Sequence, residues 1–411
     1  MRVLFIHRSG PGQFLHLARH LADRGDGVTL LCERVDRPLG DVRVLLHGTE
    51  APARARTATG AAVDYHVRLG ERVAVAIDRM VRREGPPDVV VGHAGWGSLL
   101  FVKDVLPATP ALAYCEYYYR PSGADMGFDP ADPVTAEDRR RLRARNLAQT
   151  ATLSAVEAGL SPTRWQRDLY PAEYRPKIGL CHDGIDTDVC RPDPTARFTL
   201  PDGRVLDRTA PVVTFAARDL EPYRGFPQFM RAAAKVAARH PAATFVVAGG
   251  DGVSYGRKAP DGRSWRAVML EETGIDPSRI HFVGTLPHAD LIRLFQVTTA
   301  HVYFTYPFVL SWSMLEAMAT GALVVGSATA PVEEFVADGR NGLLAGFFDP
   351  DALADQLMEV LARPAAFDGL RAEARRTVQA RADLATSLAR LTGGIERLAG
   401  RRPRGFAAAA E

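Results

Sequence analysis

The chain has 411 residues, 46% of them hydrophobic and 24% charged, with 51 Lys and Arg against 48 Asp and Glu. That length and apolar content provide for two cores of ordinary size. A net charge of +3 without blocky basicity argues against a dedicated nucleic-acid binder, so any anion the protein binds must be held by local groups.

Short apolar runs bounded by turn residues alternate with segments of helical periodicity, the mark of βαβ units and a parallel sheet. Arg2–Ile6 reads as a buried strand, and Phe14, Leu17, Ala18 and Leu21 then fall on one helix face. Val28–Cys32, Asp88–Val91 and Ala111–Tyr114 supply further strands of a first doubly wound domain. The alternation restarts with Val212–Phe215 and continues through Thr244–Val247, Ile280–Val283, His301–Phe304 and Leu323–Val325. Asp349 and Pro350 form a cap and first-turn pair leading into Leu353, Leu357, Val360 and Leu361. The expected fold is therefore α/β, with two doubly wound, Rossmann-like parallel-sheet domains. Their bounds are read as 1–185 and 209–375, with a polar, turn-rich hinge at 186–208. Residues 376–400 read as a closing helix, a return to the N-terminal domain being one option, and 401–411 as a disordered tail.

Cys32, Cys115, Cys181 and Cys190 are scattered, with no CxxC pair, and read as reduced packing residues. Val3–Ile6 is too short for a signal peptide, and nothing approaches the roughly 18 apolar residues of a membrane span. A cytoplasmic protein without a transmembrane segment is the expectation.

Several clusters have the composition of a ligand site. In the turn His7–Gln13, Gly10 and Gly12 allow close backbone approach to an anion, or serve the turn alone. The Rossmann fingerprint fails there, because its third glycine position is Leu15, and no Gly-Lys-Ser or Gly-Lys-Thr occurs. These absences count against NAD and ATP. Arg218 and Arg224, six apart at the end of a strand, suit a diphosphate, since each guanidinium can fork onto two oxygens. Glu316 follows a serine-containing turn and is flanked by Met314, Leu315, Ala317 and Met318, so it reads as a buried carboxylate that a ribose would satisfy. His93, in a glycine-bracketed loop, is either a catalytic hydrogen-bonding group or a structural histidine. Glu116 lies in the aromatic run Tyr114–Tyr119; Tyr117, Tyr118 and Asp125 are candidates for lining an acceptor site. The basic run Asp138–Arg145 reads as a solvated helix face, with peripheral contact to an anionic membrane as the alternative.

In order along the chain, Arg218–Gly225, Val247–Gly252, Ile280–Gly284, Leu315–Gly321 and Glu334–Gly342 resemble the family-four, or group 1, retaining glycosyltransferases. The segment His182–Val189 is similar to that family's domain junction. Pro11–Phe14, Gly92–Gly97 and Tyr114–Tyr119 resemble strings of a narrower subgroup. The resemblance implies a GT-B architecture, two domains facing a cleft, and transfer of a sugar from a UDP-, GDP- or dTDP-linked donor to an acceptor hydroxyl with retained configuration. It implies that Arg218 and Arg224 hold the diphosphate and Glu316 the ribose. The full expected donor set is Gly10, Gly12, Arg218, Arg224, Thr285, Leu286, Ser311, Trp312, Ser313 and Glu316. His93, Glu116 and the two arginines are the expected catalytic groups. The family's upstream glutamate falls at Phe308, so backbone N–H groups at 311–313 are expected to take up more of the holding. No metal and no cofactor beyond the nucleotide-sugar co-substrate are expected. The competing readings are a degenerate nucleotide-sugar-binding protein without turnover, for which Phe308 is the motive, and a GT-B epimerase.

Overall fold

A computed structural model describes residues 1–35, 37–49 and 57–400. The expectation for 401–411 lies outside the described residues. The chain divides into two compact units, Met1–Gly184 joined by the segment from Leu384 onward, and Ile185–Asp383.

The first unit is built on strands β1 (Arg2–Ile6), β2 (Gly27–Cys32), β3 (Arg43–Leu46), β4 (Val89–His93), β5 (Ala111–Tyr114), β6 (Ala158–Ser161) and β7 (Ile178–Leu180). All pair in parallel, in the order β3-β2-β1-β4-β5-β6-β7. Side-chain alternation sends Leu4, Ile6 and Val90 to one face, against Leu69, Val73 and Ile77 of the helix Ala58–Glu84. Val3, Phe5, Val89 and Val91 point to the other, against Leu17 and Leu21 of the helix Leu15–Asp23. Because helices cover both faces, the strands read as continuous apolar runs. Each fully buried aliphatic side chain at these contacts contributes about 1.5–3 kcal/mol. Strand order reverses between β1 and β4, so the connections leaving their carboxyl ends diverge there, the point at which open α/β sheets bind ligands.

The second unit repeats the scheme with β8 (Val212–Asp219), β9 (Thr244–Gly250), β10 (Ile280–Gly284), β11 (Ala300–Tyr303), β12 (Leu323–Ser327) and β13 (Leu343–Ala345). Its order is β10-β9-β8-β11-β12-β13, all parallel, with the reversal between β8 and β11. Arg218 is the last residue but one of β8, and Thr305 follows β11.

Residues 186–208, expected as a hinge, pack within the second unit. Cys190 is buried in one of its cores, and Phe198, Leu200 and Leu206 in another, while Phe198–Thr199 pairs antiparallel with Val205–Leu206. The Pro, Asp and Gly residues that suggested a linker mark bends between short buried stretches. The expected single helix at 376–400 is two, Asp368–Ala382 and Leu384–Leu398, broken at Asp383. Asp383 accepts from the Thr187 hydroxyl at 2.8 Å and bridges Ile185, so it belongs to the second unit. The helix Leu384–Leu398 instead buries Leu391 and Ile395 in the first unit's core, and Glu396 there pairs with Arg24 at 2.8 Å. No helix among the described residues is long and apolar enough to cross a membrane.

Candidate functional site

At the strand-order reversal of the second unit, the 3-10 turn Pro222–Arg224 ends in Gly225 with φ of 71°. A Cβ at Gly225 would lie 2.3 Å from that of Phe304, so the glycine serves both the left-handed turn and a close approach to the strand end. The turn drives the Arg224 side chain inward, to 8% exposure. Its Nη1 donates to the Thr305 hydroxyl at 2.9 Å, the Val309 carbonyl at 3.0 Å and the Tyr303 hydroxyl at 3.2 Å. All are neutral acceptors, and among the described residues no carboxylate forms a salt bridge with Arg224. The Glu221 carboxylate acts on Arg224 only through space, so a buried cation whose direct hydrogen-bond partners are neutral keeps a preference for an incoming anion. Arg218 is exposed, its guanidinium carbon 5.9 Å from the Tyr255 ring centre; that of Arg224 is 5.0 Å from the same ring.

The loop carrying Tyr255 is tied down from below. Asp219 accepts from the Gly252 N–H at 3.1 Å and from the Ser254 hydroxyl. Glu221, with no exposed surface, accepts from the N–H groups of Tyr255 at 3.0 Å and Gly256 at 2.9 Å. Burial raises the Glu221 carboxyl above its ordinary range, the backbone donors opposing the shift. Phe308, where the resemblance expects a glutamate in most relatives, packs at 5.0 Å from Tyr255 and 5.2 Å from Tyr223.

The helix Trp312–Ala319 begins beside Arg224. Ser311 caps it, accepting from the Ser313 N–H at 3.3 Å, and the Ser311 N–H donates to the same Tyr303 hydroxyl that Arg224 touches, at 2.8 Å. The guanidinium and the Ser311 N–H thus share one hydroxyl beside a helix start, the kind of place that favours phosphate oxygens. One turn further along, Glu316 is 9% exposed and accepts from Nε2 of the exposed His288 at 2.8 Å. Trp312 packs half-buried against the core on the same helix. Thr285 is exposed just beyond β10, and Leu286 packs half-buried against Val246 and Ala248. Cys190, His288 and Glu316 bring one ligand atom each within 4.8 Å of one another, which makes them the residues here that could hold a soft cation. Burial drives the Cys190 thiol well above its usual range, so it stands as a neutral thiol, a poor ligand.

The first unit's reversal point carries a different chemistry. His7 follows β1 and His93 ends β4; their rings meet edge to face at 5.3 Å, and Trp96 stacks on His93 at 4.2 Å. Trp96 holds φ of 62°, a strained setting for a bulky residue. The Gly95 N–H donates to His93 Nδ1 at 3.0 Å, which leaves the proton on Nε2, and that nitrogen meets Glu116 Oε2 at 3.2 Å. The other Glu116 oxygen accepts from Gln13, whose own carbonyl accepts from His7 Nε2 at 3.0 Å. Burial, with His93 adding to it, lowers His7 to about 3. Burial works against the Glu116 carboxylate, but His93, His7 and Gln13 together hold its pKa below the usual value. The result is a half-buried carboxylate oriented by a histidine and an amide, at the open end of the sheet.

Gly12, with φ of 54°, would place a Cβ 2.4 Å from the His7 ring, and Gly10 one 2.6 Å from Leu30; packing explains both glycines. Tyr117 and Asp125 are buried and bonded to each other at 2.5 Å. Tyr118 packs on Tyr170 at 5.2 Å and reaches Thr150 at 3.4 Å. The basic run lies on the helix Ala136–Ala155, with Arg139, Arg140, Arg141 and Arg143 exposed and Leu142 and Ala144 turned inward.

The structure thus brings Arg218, Arg224 and the start of the Ser311-capped helix together in one unit, with Glu316 one turn on, and His93 with Glu116 in the other. His7, Gln13, His288, Tyr255 and Tyr303 were missed as site residues. The position of His7 immediately after the first strand was the available signal; the other four give none without tertiary contacts.

Two parallel α/β units, each with polar groups gathered at the reversal of strand order, define a GT-B protein. Residues 24–190 match the model of the glycosyl transferase family 4 group, and residues 210–363 that of the glycosyl transferases group 1. The chain accordingly has the GT-B fold and carries, in succession, a region matching the glycosyl transferase family 4 group and a region matching the glycosyl transferases group 1. It is 29% identical over 235 residues to a D-inositol 3-phosphate glycosyltransferase of Frankia alni, covering 55% of this chain and 56% of that one. The corresponding Mycobacterium bovis protein is 31% identical over 185 residues, 45% of this chain and 36% of its own. The chain therefore spans about half or less of the curated relatives it matches. In fold, sucrose-phosphate synthase from Thermosynechococcus elongatus superposes with a TM-score of 0.70 at 18% identity, over 97% of this chain and 98% of that one. Anabaena Alr3699/HepE in complex with UDP and glucose gives 0.67 at 15% identity, over 97% and 100%.

Proposed function

We propose that the protein transfers a sugar from a nucleotide diphosphate sugar to an acceptor hydroxyl, with retention of anomeric configuration and without a metal. One observation carries the reading: Arg224 is a buried guanidinium whose hydrogen-bond partners are neutral, beside the start of a capped helix, at the strand-order reversal where open α/β sheets bind ligands. With Arg218 it offsets the negative charge that grows on the diphosphate as the bond from the anomeric carbon to the phosphate oxygen breaks. The acceptor oxygen forms the new bond to that carbon, and its proton passes to the departing phosphate oxygen. Glu316 takes the ribose hydroxyls in place of His288. In the first unit, Glu116 and His93 bind and orient sugar or acceptor hydroxyls. A UDP complex of a protein with this fold supports a nucleotide-sugar donor, and the named activity of the curated relatives makes D-inositol 3-phosphate a first acceptor to try.

The test is turnover of a panel of UDP-, GDP- and dTDP-sugars with EDTA present, followed by determination of the product's anomeric configuration. Transfer that survives chelation and retains configuration supports the reading. Inversion refutes the stereochemistry, and activity abolished by EDTA and restored by a divalent cation refutes metal independence. Binding without turnover on any acceptor favours a degenerate binding protein, for which Phe308 remains the motive.

A further inference from the structure

The surface beside the two arginines is aromatic. Tyr223 stacks on Tyr306 at 4.8 Å and meets Phe308 edge-on at 5.2 Å; Tyr255 packs on Phe308 at 5.0 Å. Tyr223 and Phe308 are half-buried and Tyr255 is 37% exposed, so the cluster is not sealed in the core; the guanidinium groups lie over the Tyr255 and Phe308 rings, and the parts of the rings that reach the surface are next to them. The carboxylates flanking the arginines, Asp219 and Glu221, are turned beneath the Tyr255 loop and engaged by its donors. Phe308 lies 5.7 Å from the Arg224 guanidinium carbon. Glu316 lies beyond the helix start on which Arg224 converges, five residues past the cap. The aromatic rings thus lie against the arginines, and a carboxylate-and-imidazole pair lies further along the helix.

A nucleotide sugar carries a hydroxyl-rich ribose on one side of its diphosphate and the transferred sugar on the other. With the ribose at the carboxylate-and-imidazole pair, the sugar reaches the rings. We propose that this aromatic surface receives the donor's sugar and selects a 6-deoxyhexose, whose methyl group meets carbon where an ordinary hexose would bury a hydroxyl. The proposal rests on the reading of Arg218 and Arg224 as diphosphate ligands. Apolar pockets discriminate modestly, because a hydroxyl is only partly stripped of its partners, so the preference expected is about 10- to 100-fold.

The experiment measures dissociation constants of the full chain for matched pairs on one nucleoside diphosphate: UDP-glucose against UDP-6-deoxyglucose, dTDP-glucose against dTDP-6-deoxyglucose, and GDP-mannose against GDP-6-deoxymannose. On the nucleoside diphosphate that binds, the deoxy sugar should bind at least tenfold more tightly than its hexose. Phe308→Gln, which offers a hydrogen-bonding group without a charge beside Arg224, should remove that preference and leave affinity for the bare nucleoside diphosphate within about twofold. Equal binding of the pair, or tighter hexose binding, overturns the proposal. So does an equal loss, in Phe308→Ala, for the bare diphosphate and its sugar conjugate, which would place the base on the rings. Failure of every bare nucleoside diphosphate to bind overturns the diphosphate reading first, and this proposal with it, an outcome distinct from the others.

Discussion

Replacing Arg224 by Ala tests the donor site most directly, because the structure separates its two roles. In the ligand-free protein the guanidinium is buried against a tyrosine hydroxyl, a threonine hydroxyl and a carbonyl, with no carboxylate salt bridge. Deletion loses those hydrogen bonds from a charged donor, each about 1.5–3 kcal/mol, and relieves a desolvation cost of several kcal/mol, so the opposing effects should leave ligand-free stability within about 2 kcal/mol. In the complex, charge-assisted bonds to a diphosphate are each worth about 1.5–3 kcal/mol, which corresponds to a loss of roughly 10- to 150-fold in affinity. At a nucleoside diphosphate concentration of about 100 Kd the native protein gains about 2.7 kcal/mol. If affinity falls about 100-fold, the gain at that concentration falls to about 0.4 kcal/mol. In thermal unfolding, a unit of this size converts the first figure into a rise of roughly 5–11 °C and the second into about 1 °C. A screen of UDP, GDP and dTDP with native and variant proteins reads both. An Arg224→Ala protein that keeps the full rise refutes the assignment, since the diphosphate must then lie elsewhere. A variant destabilised by more than about 4 kcal/mol without ligand refutes the view of Arg224 as a cation held for an anion.

Glu116→Gln keeps the shape of the first-unit network and removes its charge; nucleoside diphosphate affinity should stay within about twofold, while kcat falls by about 10²-fold, as expected for loss of a positioned ionised group. Steady-state assays with a competent donor check this, and an unchanged kcat removes Glu116 from the site. Gly12→Ala places a Cβ against the His7 ring at a positive φ, and urea denaturation should show a loss of about 1–3 kcal/mol; no loss would mean that the turn relaxes freely. Buried His301 has its pKa lowered to about 3 by desolvation, with a Thr214 hydrogen bond opposing, and His182 to about 4 by desolvation. Both fold as neutral bases, whereas the unfolded chain takes up protons below its ordinary histidine pKa, so stability should fall as pH drops from about 6.5 toward 4. For each, the loss by pH 5 is roughly 2 kcal/mol. Flat urea midpoints between pH 7.5 and 5 would contradict that burial.

Among the described residues, local pattern alone marked nine of the thirteen strands in the two main sheets, because a parallel strand covered on both faces is an unbroken apolar run. β3, β6, β7 and β13 escaped: Arg43–Leu46 is largely exposed at a sheet edge, Ala158–Ser161 holds a glycine, and Ile178–Leu180 and Leu343–Ala345 have only three residues each. Residues 186–208 misled because turn chemistry sets the bends of a chain and is silent on whether the stretches between them find a core.

What the amino-acid order determined by itself was the doubly wound class, the repetition of that class along the chain, and the placing of Arg218 and Arg224 at a strand's carboxyl end. Each follows from periodicity and turn residues within about twenty positions. Tertiary structure alone decided that Arg224 is buried among neutral acceptors and Arg218 exposed, that Glu116 is gripped by His93 and Gln13, and that Leu384–Leu398 returns to the first unit. These depend on groups from about 20 to over 380 residues apart meeting at a sheet's edge or face, and no local periodicity encodes which distant side chain will occupy the neighbouring space.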